Sequence, residues 1–492
     1  MPATWVRDET VGVDFGDARL DRRLDTIFAA FGAMPQASVA AASGSRNDME
    51  AAYEFFDNPK VTPDEILGGH IAAAHRRIDG QPVAILVQDT TEIDVTRPQS
   101  VVEGAGPLDG GSRRGGFLHP LTAFTPDGTP LGTVACKWWT RDDVDANAKK
   151  PTRRERAATP IEGKESLRWV TTLRQAHAVA AEHPSTRIVC VSDSESDIYE
   201  VLREGQKESG RAKWVVRACQ DRTLKPQEST GTAGNPDQSS GDGMALRSRL
   251  AAQPVLFGRT LPVRERASKV ATDVRKRRQS RSARTATLEV RATTVTLRAP
   301  WRPGVPLPDV TVNAVSVSEV NVPDGEAAIE WLLLTNLPIG GIESVRMAIA
   351  YYCARWMIEV YFRVLKSGCR LESRRFEAMD RIWNFAAVCL VVAWRTLLVC
   401  RLGREMPEVS CDAVFDPSEW QSVYRVVTGQ APPSEPPPLR EMVRLVAQLG
   451  GFANRAKGAE PGPETIWRGL QRMRDYAHAW DLFGPGAKHK ER

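Results

Sequence analysis

Three acidic residues lie on or beside predicted strands and helices, and carboxylates in such places can hold metal ions. Asp89 lies in the middle of the first predicted strand, a run over 83–95, and Asp193 lies just past the fourth predicted strand, TRIVCV. Glu359 lies on a long predicted helix from about 342 to 366. Carboxylate oxygens suit hard cations such as Mg²⁺, and two such ions can support phosphodiester cleavage. An isolated acid at such a position is more often a turn or cap residue, so the three can form a metal site only if folding brings them together.

The helix around Glu359 strengthens the case, because four of its polar residues share one face. At about 100° per residue, their offsets fall inside a ~60° arc. A salt-bridged surface face gives the same pattern. A tyrosine, two cations and a carboxylate on one stripe also suit a phosphate site beside a metal. The four residues are Tyr352, Arg355, Glu359 and Lys366.

The order of predicted elements indicates how these residues are positioned. A strand, a hairpin, a helix, a strand, a helix and a strand precede a long insertion, and a strand and the long helix follow it. This order resembles the ribonuclease-H-like fold, in which a mixed sheet lies between helices and acids occupy fixed places. We therefore predict an α/β protein with a ribonuclease-H-like catalytic core and a β-rich insertion, flanked by helical domains at both ends. The expected domains are 1–76, 77–403 with its insertion at about 220–327, and 404–492.

Composition places the chain among ordinary soluble globular proteins. It has 492 residues, 42% hydrophobic and 26% charged, with a net charge of +5. Those values exclude a disordered or fibrous chain as a whole. The eight cysteines form no CxxC pair, which argues against a zinc ribbon or a disulfide scaffold. This cysteine usage predicts a protein of the reducing cytosol. The N-terminus does not look like a signal peptide, and the apolar run 382–394 is too short to span a membrane, so it predicts a buried helix.

Two groups of basic residues could bind nucleic acid. The predicted helix 17–31 places three arginines mainly opposite its apolar face, where they form either a solvated face or one that follows phosphates. A run over 264–284 contains nine Lys and Arg residues and two acidic residues. It is either a solvated loop or a phosphate-binding segment of the insertion. The residues concerned are Arg19, Arg22, Arg23, Arg275, Lys276, Arg277 and Arg278.

Several motifs together resemble one family. The Tyr-x-x-Arg-x(3)-Glu-x(6)-Lys spacing resembles the YREK signature of DDE transposases of the insertion sequence 4 family, and within it the transposon-five (Tn5-type) group. VQDTTEIDV, SDSESDIYEVL and AAIEWLLLTNLP resemble the family's other core segments, in the same order. GDARLDRRL, AAYEFFDNP, the Trp138–Trp139 pair and LGGF also have counterparts there, so the resemblance covers nearly the whole chain. One departure is Ser194, where the family commonly has Arg, and it puts one DNA contact in question.

The resemblance implies roles for individual residues. Asp89, Asp193 and Glu359 would hold two Mg²⁺ ions, for which Mn²⁺ can substitute, with Asp89 shared by both. Tyr352, Arg355 and Lys366 would hold phosphates near the scissile bond. Trp331 is either a core tryptophan or the aromatic that stabilises a flipped base, and Arg217 is a candidate DNA contact.

The predicted function is a cut-and-paste DNA transposase. It would bind terminal inverted repeats, excise the element through hairpin ends and insert it into target DNA, as a homodimer in the bacterial cytoplasm beside the nucleoid. C-terminal helices would pair the subunits through an exposed apolar stripe. The alternative is a catalytically silent DNA-binding derivative of a transposase. A third hypothesis is a ribonuclease-H-like nuclease that acts on RNA hybrids or junctions. The stripe comprises Met442, Leu445, Val446 and Leu449.

Overall fold

A computed structural model describes residues 4–109, 112–143, 152–207, 210–226, 244–266, 280–302, 306–453 and 459–485. The described α-helices are α1 (Thr4–Thr10), α2 (Ala18–Ala33), α3 (Val39–Ala42), α4 (Arg46–Asp57), α5 (Pro63–Asp79), α6 (Arg153–Ala158), α7 (Leu167–Glu182), α8 (Tyr199–Glu204), α9 (Leu246–Ala251), α10 (Ile342–Ala354), α11 (Trp356–Arg363), α12 (Met379–Glu405), α13 (Pro417–Thr428), α14 (Leu439–Leu449) and α15 (Pro463–Phe483). The described strands are β1 (Val83–Gln88), β2 (Thr91–Asp94), β3 (Gly106–Pro107), β4 (Arg114–Phe124), β5 (Pro130–Trp139), β6 (Arg187–Ser192), β7 (Lys213–Arg217), β8 (Phe257–Val263), β9 (Arg284–Leu297), β10 (Val310–Val320) and β11 (Glu330–Thr335).

The chain forms two compact units. The first unit comprises Met1–Ala84, Asp89–Val144 and Trp356–Arg492. The second unit comprises Ile85–Gln88 and Asp145–Arg355. Each unit therefore draws on segments that are distant in sequence, so long-range packing defines both of them.

The first unit combines helices with a small antiparallel sheet. Strands β2, β3 and β5 all pair with β4, and β4 and β5 form a hairpin. Gly128 closes the hairpin turn with φ +93°, a conformation that L side chains rarely adopt. Helix α12 packs against α2, α4, α5 and β5, because apolar residues cover almost its whole circumference.

The second unit contains a sheet with strand order β1-β6-β7-β11-β10-β9-β8, of which the last four residues of β1 belong to the unit. Strands β6 and β7 are parallel, and the pairs from β7 to β8 are antiparallel. Helix α10 packs on β6 and β7, and α7 packs on β6. The long strands β9 and β10 alternate buried and exposed residues over much of their length, as expected where one sheet face is covered.

Two predicted elements are interrupted at functional positions. The strand predicted over 83–95 is two strands, so Asp89 follows the end of β1, and its predicted place in mid-strand is wrong. The carboxylate of Asp89 accepts the backbone N–H of Thr90 (2.8 Å), an interaction that competes with continued strand pairing. The helix predicted over 342–366 is interrupted at Arg355, whose N–H bonds to the Tyr352 carbonyl in a tighter turn.

Helix α12 is the one helix of the described residues that is long and apolar enough to cross a membrane. Of its apolar window, 83% is buried inside the protein. This burial is that of a core helix, as the sequence predicted. Its Arg395 is also buried, and the guanidinium lies 4.4 Å from the ring centroid of Trp5.

Candidate functional site

Asp193 follows β6 directly and is half-buried in the second unit. One carboxylate oxygen, Oδ1, accepts the backbone N–H of Glu195 at 2.9 Å. The Ser196 hydroxyl donates to the Asp193 carbonyl at 2.7 Å, which closes a short turn over Ser194–Ser196. Asp193 is thus a cap residue held in a defined orientation, and this local role engages one oxygen of its carboxylate.

A second aspartate, which sequence reasoning missed, fixes the loop that carries Asp193. Asp197 is buried, and its Oδ2 accepts the backbone N–H groups of Cys219 (2.8 Å) and Gln220 (2.9 Å). Its Oδ1 accepts a hydrogen bond from Arg222 at 2.6 Å, and Arg222 also donates to the Asp197 carbonyl. The loop after β6 is therefore joined to the loop after β7. Nothing in the spacing of Asp197 and Arg222 signals this pairing.

Four of the predicted DNA contacts lie together in the second unit. Tyr352 and Trp331 pack edge to face, with ring centroids 5.6 Å apart. The guanidinium of Arg355 lies 5.9 Å from the centroid of the Tyr352 ring. Burial raises the pKa of Tyr352, whereas the positive charges of Arg355 and Arg217 oppose that rise. The phenol thus stays protonated at neutral pH and can donate a hydrogen bond. We call these four residues the YRW cluster: Arg217, Trp331, Tyr352 and Arg355.

Trp331 also lines a cavity of about 530 Å³ between the insertion strands and α10. Its side chain is half-buried. Apolar side chains from β8, β9, β10 and α10 form much of the wall, and the guanidinium groups of Arg259 and Arg346 line it too. A planar aromatic ring fits a cavity of this size and chemistry. The apolar lining includes Leu261, Val290, Val317 and Ile349.

The first unit holds Asp89, Glu359 and Lys366. Glu359 is half-buried on α11, and Lys366 lies on the π-helical turn Val364–Gly368 that continues it. Lys366 pairs with Glu372 at 3.2 Å, and Glu372 accepts the backbone N–H of Asp94 at 3.1 Å. The lysine turn therefore lies against β2, which begins two residues after Asp89. The interruption at Arg355 and the π-helical turn mean that the four predicted residues do not lie on one regular helix.

Of the three α2 arginines, Arg19 and Arg22 are exposed and Arg23 is half-buried, and two of them pair with acids. Arg19 pairs with Asp17 at 2.8 Å, and this hydrogen bond lowers the pKa of Asp17 to about 2. Arg23 pairs with Asp48 at 3.2 Å, and Arg22 is exposed. The predicted basic group at 275–278 lies outside the described residues.

The apolar stripe predicted to join two subunits is buried within its own subunit. All four of its side chains are at most 8% exposed. They pack in a core with Trp420 of α13 and with Ile466, Leu470 and Met473 of α15. The stripe is covered because α13, which the sequence analysis did not predict, supplies an apolar face. Exposed apolar side chains lie elsewhere in this region, at Val426, Leu482 and Phe483.

Each of the three predicted metal ligands is a carboxylate that is accessible in part. Asp89 and Glu359 belong to the first unit and Asp193 belongs to the second. All three are half-buried carboxylates on or beside regular elements. Oxygen donors of this kind fit a hard divalent cation such as Mg²⁺ better than a soft metal.

Comparisons with known families cover most of the chain. A family model described as Transposase DNA-binding matches residues 2–61. One described as Transposase DDE domain matches 168–394, and one described as Transposase Tn5 dimerisation domain matches 391–480. A cryo-EM structure of the piggyBac transposase synaptic complex with hairpin DNA is similar at 9% identity and TM-score 0.36, over 96% of this chain and 73% of that one.

Proposed function

The chain belongs to the Tn5-type DDE transposases, and from that premise we propose that it is a cut-and-paste enzyme acting at terminal inverted repeats. The family matches establish a DNA-binding domain, a DDE domain of ribonuclease-H-like core and a dimerisation domain. The chain is therefore a DNA transposase that uses divalent metal ions and forms homodimers. The finer proposal is excision through hairpin ends, followed by insertion into target DNA.

The observation that carries this proposal is the YRW cluster. Arg217 and Arg355 lie beside a tyrosine that is protonated at neutral pH, and a tryptophan packs against that tyrosine. Two guanidinium groups and a phenol supply the forked and single donors that a phosphodiester accepts. The aromatic face of Trp331 lines a cavity that can receive a base.

We propose that Asp89, Asp193 and Glu359 hold two Mg²⁺ ions, with Asp89 shared and Mn²⁺ able to substitute. When bound, such ions lower the pKa of a water nucleophile and stabilise the leaving oxygen. The hydrogen bond from Glu195 orients the Asp193 carboxylate. The Asp197–Arg222 pair holds the Asp193 loop against the segment that follows Arg217.

The remaining residues act on the DNA. Arg217, Arg355 and Lys366 bind phosphates, and Tyr352 donates a hydrogen bond to a phosphate oxygen. Trp331 stacks on a base extruded from the duplex end, which relieves the sharp bend that a hairpin requires.

We also propose the wider organisation. Residues 1–76, including the α2 arginines, recognise the end sequence, 77–403 cut and rejoin DNA, and 404–492 pair two subunits. The basic run at 275–278 binds DNA phosphates. The protein acts in the cytoplasm, where it is associated with the nucleoid.

The test is a cleavage assay on duplex DNA that carries the inverted repeats flanking the gene. With Mg²⁺, the proposal predicts nicked, hairpinned and strand-transfer products in that order, and none with a chelator. Binding without any cleavage would instead identify a silent DNA-binding derivative. Cleavage of RNA hybrids or junctions in preference to end DNA would identify a nuclease.

A further inference from the structure

A second cavity, of about 360 Å³, lies in the first unit between the N-terminal helices and the segment after Lys366. Gln36, Ser38 and Tyr53 line it from the N-terminal side. Three arginines line it from the other side, at 370, 374 and 375, and none of the described residues in its wall is acidic. The wall thus concentrates positive charge without a carboxylate to balance it. We call it the arginine cavity.

Arg374 is the buried member of this group. It is 8% exposed, and its terminal nitrogens donate to the backbone carbonyls of Ala37, Pro35 and Cys369. Its Nε has no hydrogen-bond partner among the described residues. Carbonyl groups and the ring of Phe385, whose centroid is 4.5 Å from the guanidinium, therefore hold this buried cation in place of a carboxylate. Burying a charge in this way is unfavourable unless an opposite charge compensates it.

Two more arginines and two hydroxyl groups surround it. Arg370 and Arg375 are exposed, and Arg370 has φ +50°, a left-handed conformation in which glycine would be less strained. The Ser38 hydroxyl oxygen accepts the N–H of Ala41, so its proton is available to a ligand. The Ser373 hydroxyl donates to the Arg370 carbonyl at 2.9 Å, which braces the strained turn.

We propose that the arginine cavity binds a phosphodiester group of the DNA strand held by the N-terminal domain. Each guanidinium group can donate two parallel hydrogen bonds to phosphate oxygens, and the hydroxyl of Ser38 is a further hydrogen-bond donor. One wall comes from residues 36–53, within the segment that matches the DNA-binding family, so the cavity adjoins the part of the chain expected to hold DNA. This inference rests on the proposed function for its ligand, DNA, and it assigns a contact outside both the YRW cluster and the three acids.

The experiment measures end-DNA affinity against salt concentration with Ca²⁺ in place of Mg²⁺, so that cleavage plays no part. Arg370→Gln and Arg375→Gln alter exposed side chains and leave the buried Arg374 in place. Each lost phosphate contact should lower the slope of log K against log salt by about 0.9, and affinity roughly tenfold at 0.1 M salt. Arg468→Gln is the matched control, because that side chain is 55% exposed and pairs with Glu464 on α15.

A neutral methylphosphonate placed at each linkage of the duplex in turn locates the contact. At one linkage, the methylphosphonate should weaken DNA binding by the wild-type protein and leave DNA binding by the Arg370→Gln/Arg375→Gln variant unchanged. Slopes equal to wild type in both variants would overturn the proposal. Arginine-dependent binding of inorganic phosphate alone, with unchanged DNA slopes, would identify a free-anion site and overturn it too. Because binding is measured without cleavage, a failure of cutting in Mg²⁺ leaves this test intact.

Discussion

The YRW cluster and the arginine face of α2 are both basic, but their surroundings differ. In the second unit, Arg217 and Arg355 act on a buried tyrosine that also packs against Trp331. On α2, Arg19 and Arg23 each pair with a nearby carboxylate. A charge pattern alone could not separate the two, because sequence shows cations but not the partners that folding gives them. The difference predicts that the cluster contributes to the reaction, whereas the α2 pairs contribute little to it.

The largest expected contrast is between Arg355→Ala and Arg19→Ala. Loss of a preorganised donor to a charged transition state costs roughly 10²–10³ in rate, so Arg355→Ala should slow nicking by that factor. Arg19→Ala removes an exposed cation paired with Asp17, and nicking should stay within about twofold. Single-turnover nicking rates at saturating protein measure both effects. Equal losses in the two variants would remove the distinction between the regions.

Trp331→Ala sharpens the comparison within the cluster. Loss of a stacking partner costs about 1–3 kcal/mol per base, so hairpin formation should slow roughly tenfold to a hundredfold while nicking is unchanged. Nick and hairpin rates are measured separately, with a thermal melt of each protein. A lowered melting temperature with equal loss of both steps would instead show a packing role, since large-to-small core changes cost about 3–5 kcal/mol.

Neutralising Arg275, Lys276, Arg277 and Arg278 tests whether the basic run contacts DNA phosphates. If these side chains contact phosphates, each one lost should lower the salt slope of DNA binding by about 0.9. Affinity is measured over a range of salt concentrations with end DNA. An unchanged slope would mean that the run is solvated.

The smallest expected effect is that of Arg23→Ala on stability. The pair with Asp48 is partly exposed, so its loss should cost about 0.2–1 kcal/mol at pH 7. Hydrogen bonds from Ser45 and Arg23 lower the pKa of Asp48. A lowered carboxyl pKa stabilises the fold above the unfolded-state pKa, and that contribution is lost as pH falls through the folded-state value. Chemical denaturation at pH 7 and at successively lower pH should therefore show a difference that shrinks as the pH falls below the usual range of an aspartate.

Local patterns predicted the regular elements well. Apolar periodicity predicted the α2 and α12 helices, and the turn at Asp127–Gly128 predicted the β4–β5 hairpin. These elements depend on residues close in sequence. The interruptions at Asp89 and Arg355 were missed because they depend on single hydrogen bonds that periodicity does not show.

Long-range packing accounts for the main failures. The stripe around Met442 had the periodicity of an interface, but α13 and α15 cover it inside the subunit. Asp197 and Arg222 form a buried ion pair that no sequence motif predicts. The family resemblance grouped Tyr352 with Arg355, whereas the neighbours of Tyr352 on the sheet depend on the register that aligns β7 with β11. A resemblance transfers residue roles, but it does not supply the neighbours of each side chain.

The most direct test of the central claim is single-turnover cleavage of end DNA in Mg²⁺ by Asp89→Ala, Asp193→Ala and Glu359→Ala. Each removes a proposed metal ligand and little of the phosphate-binding surface, so each should abolish cleavage while end binding in Ca²⁺ persists. Glu408→Gln, a change at an exposed carboxylate, serves as the control and should cut at the wild-type rate. Cleavage near the wild-type rate by any one of the three alanine variants would contradict the assignment of that residue.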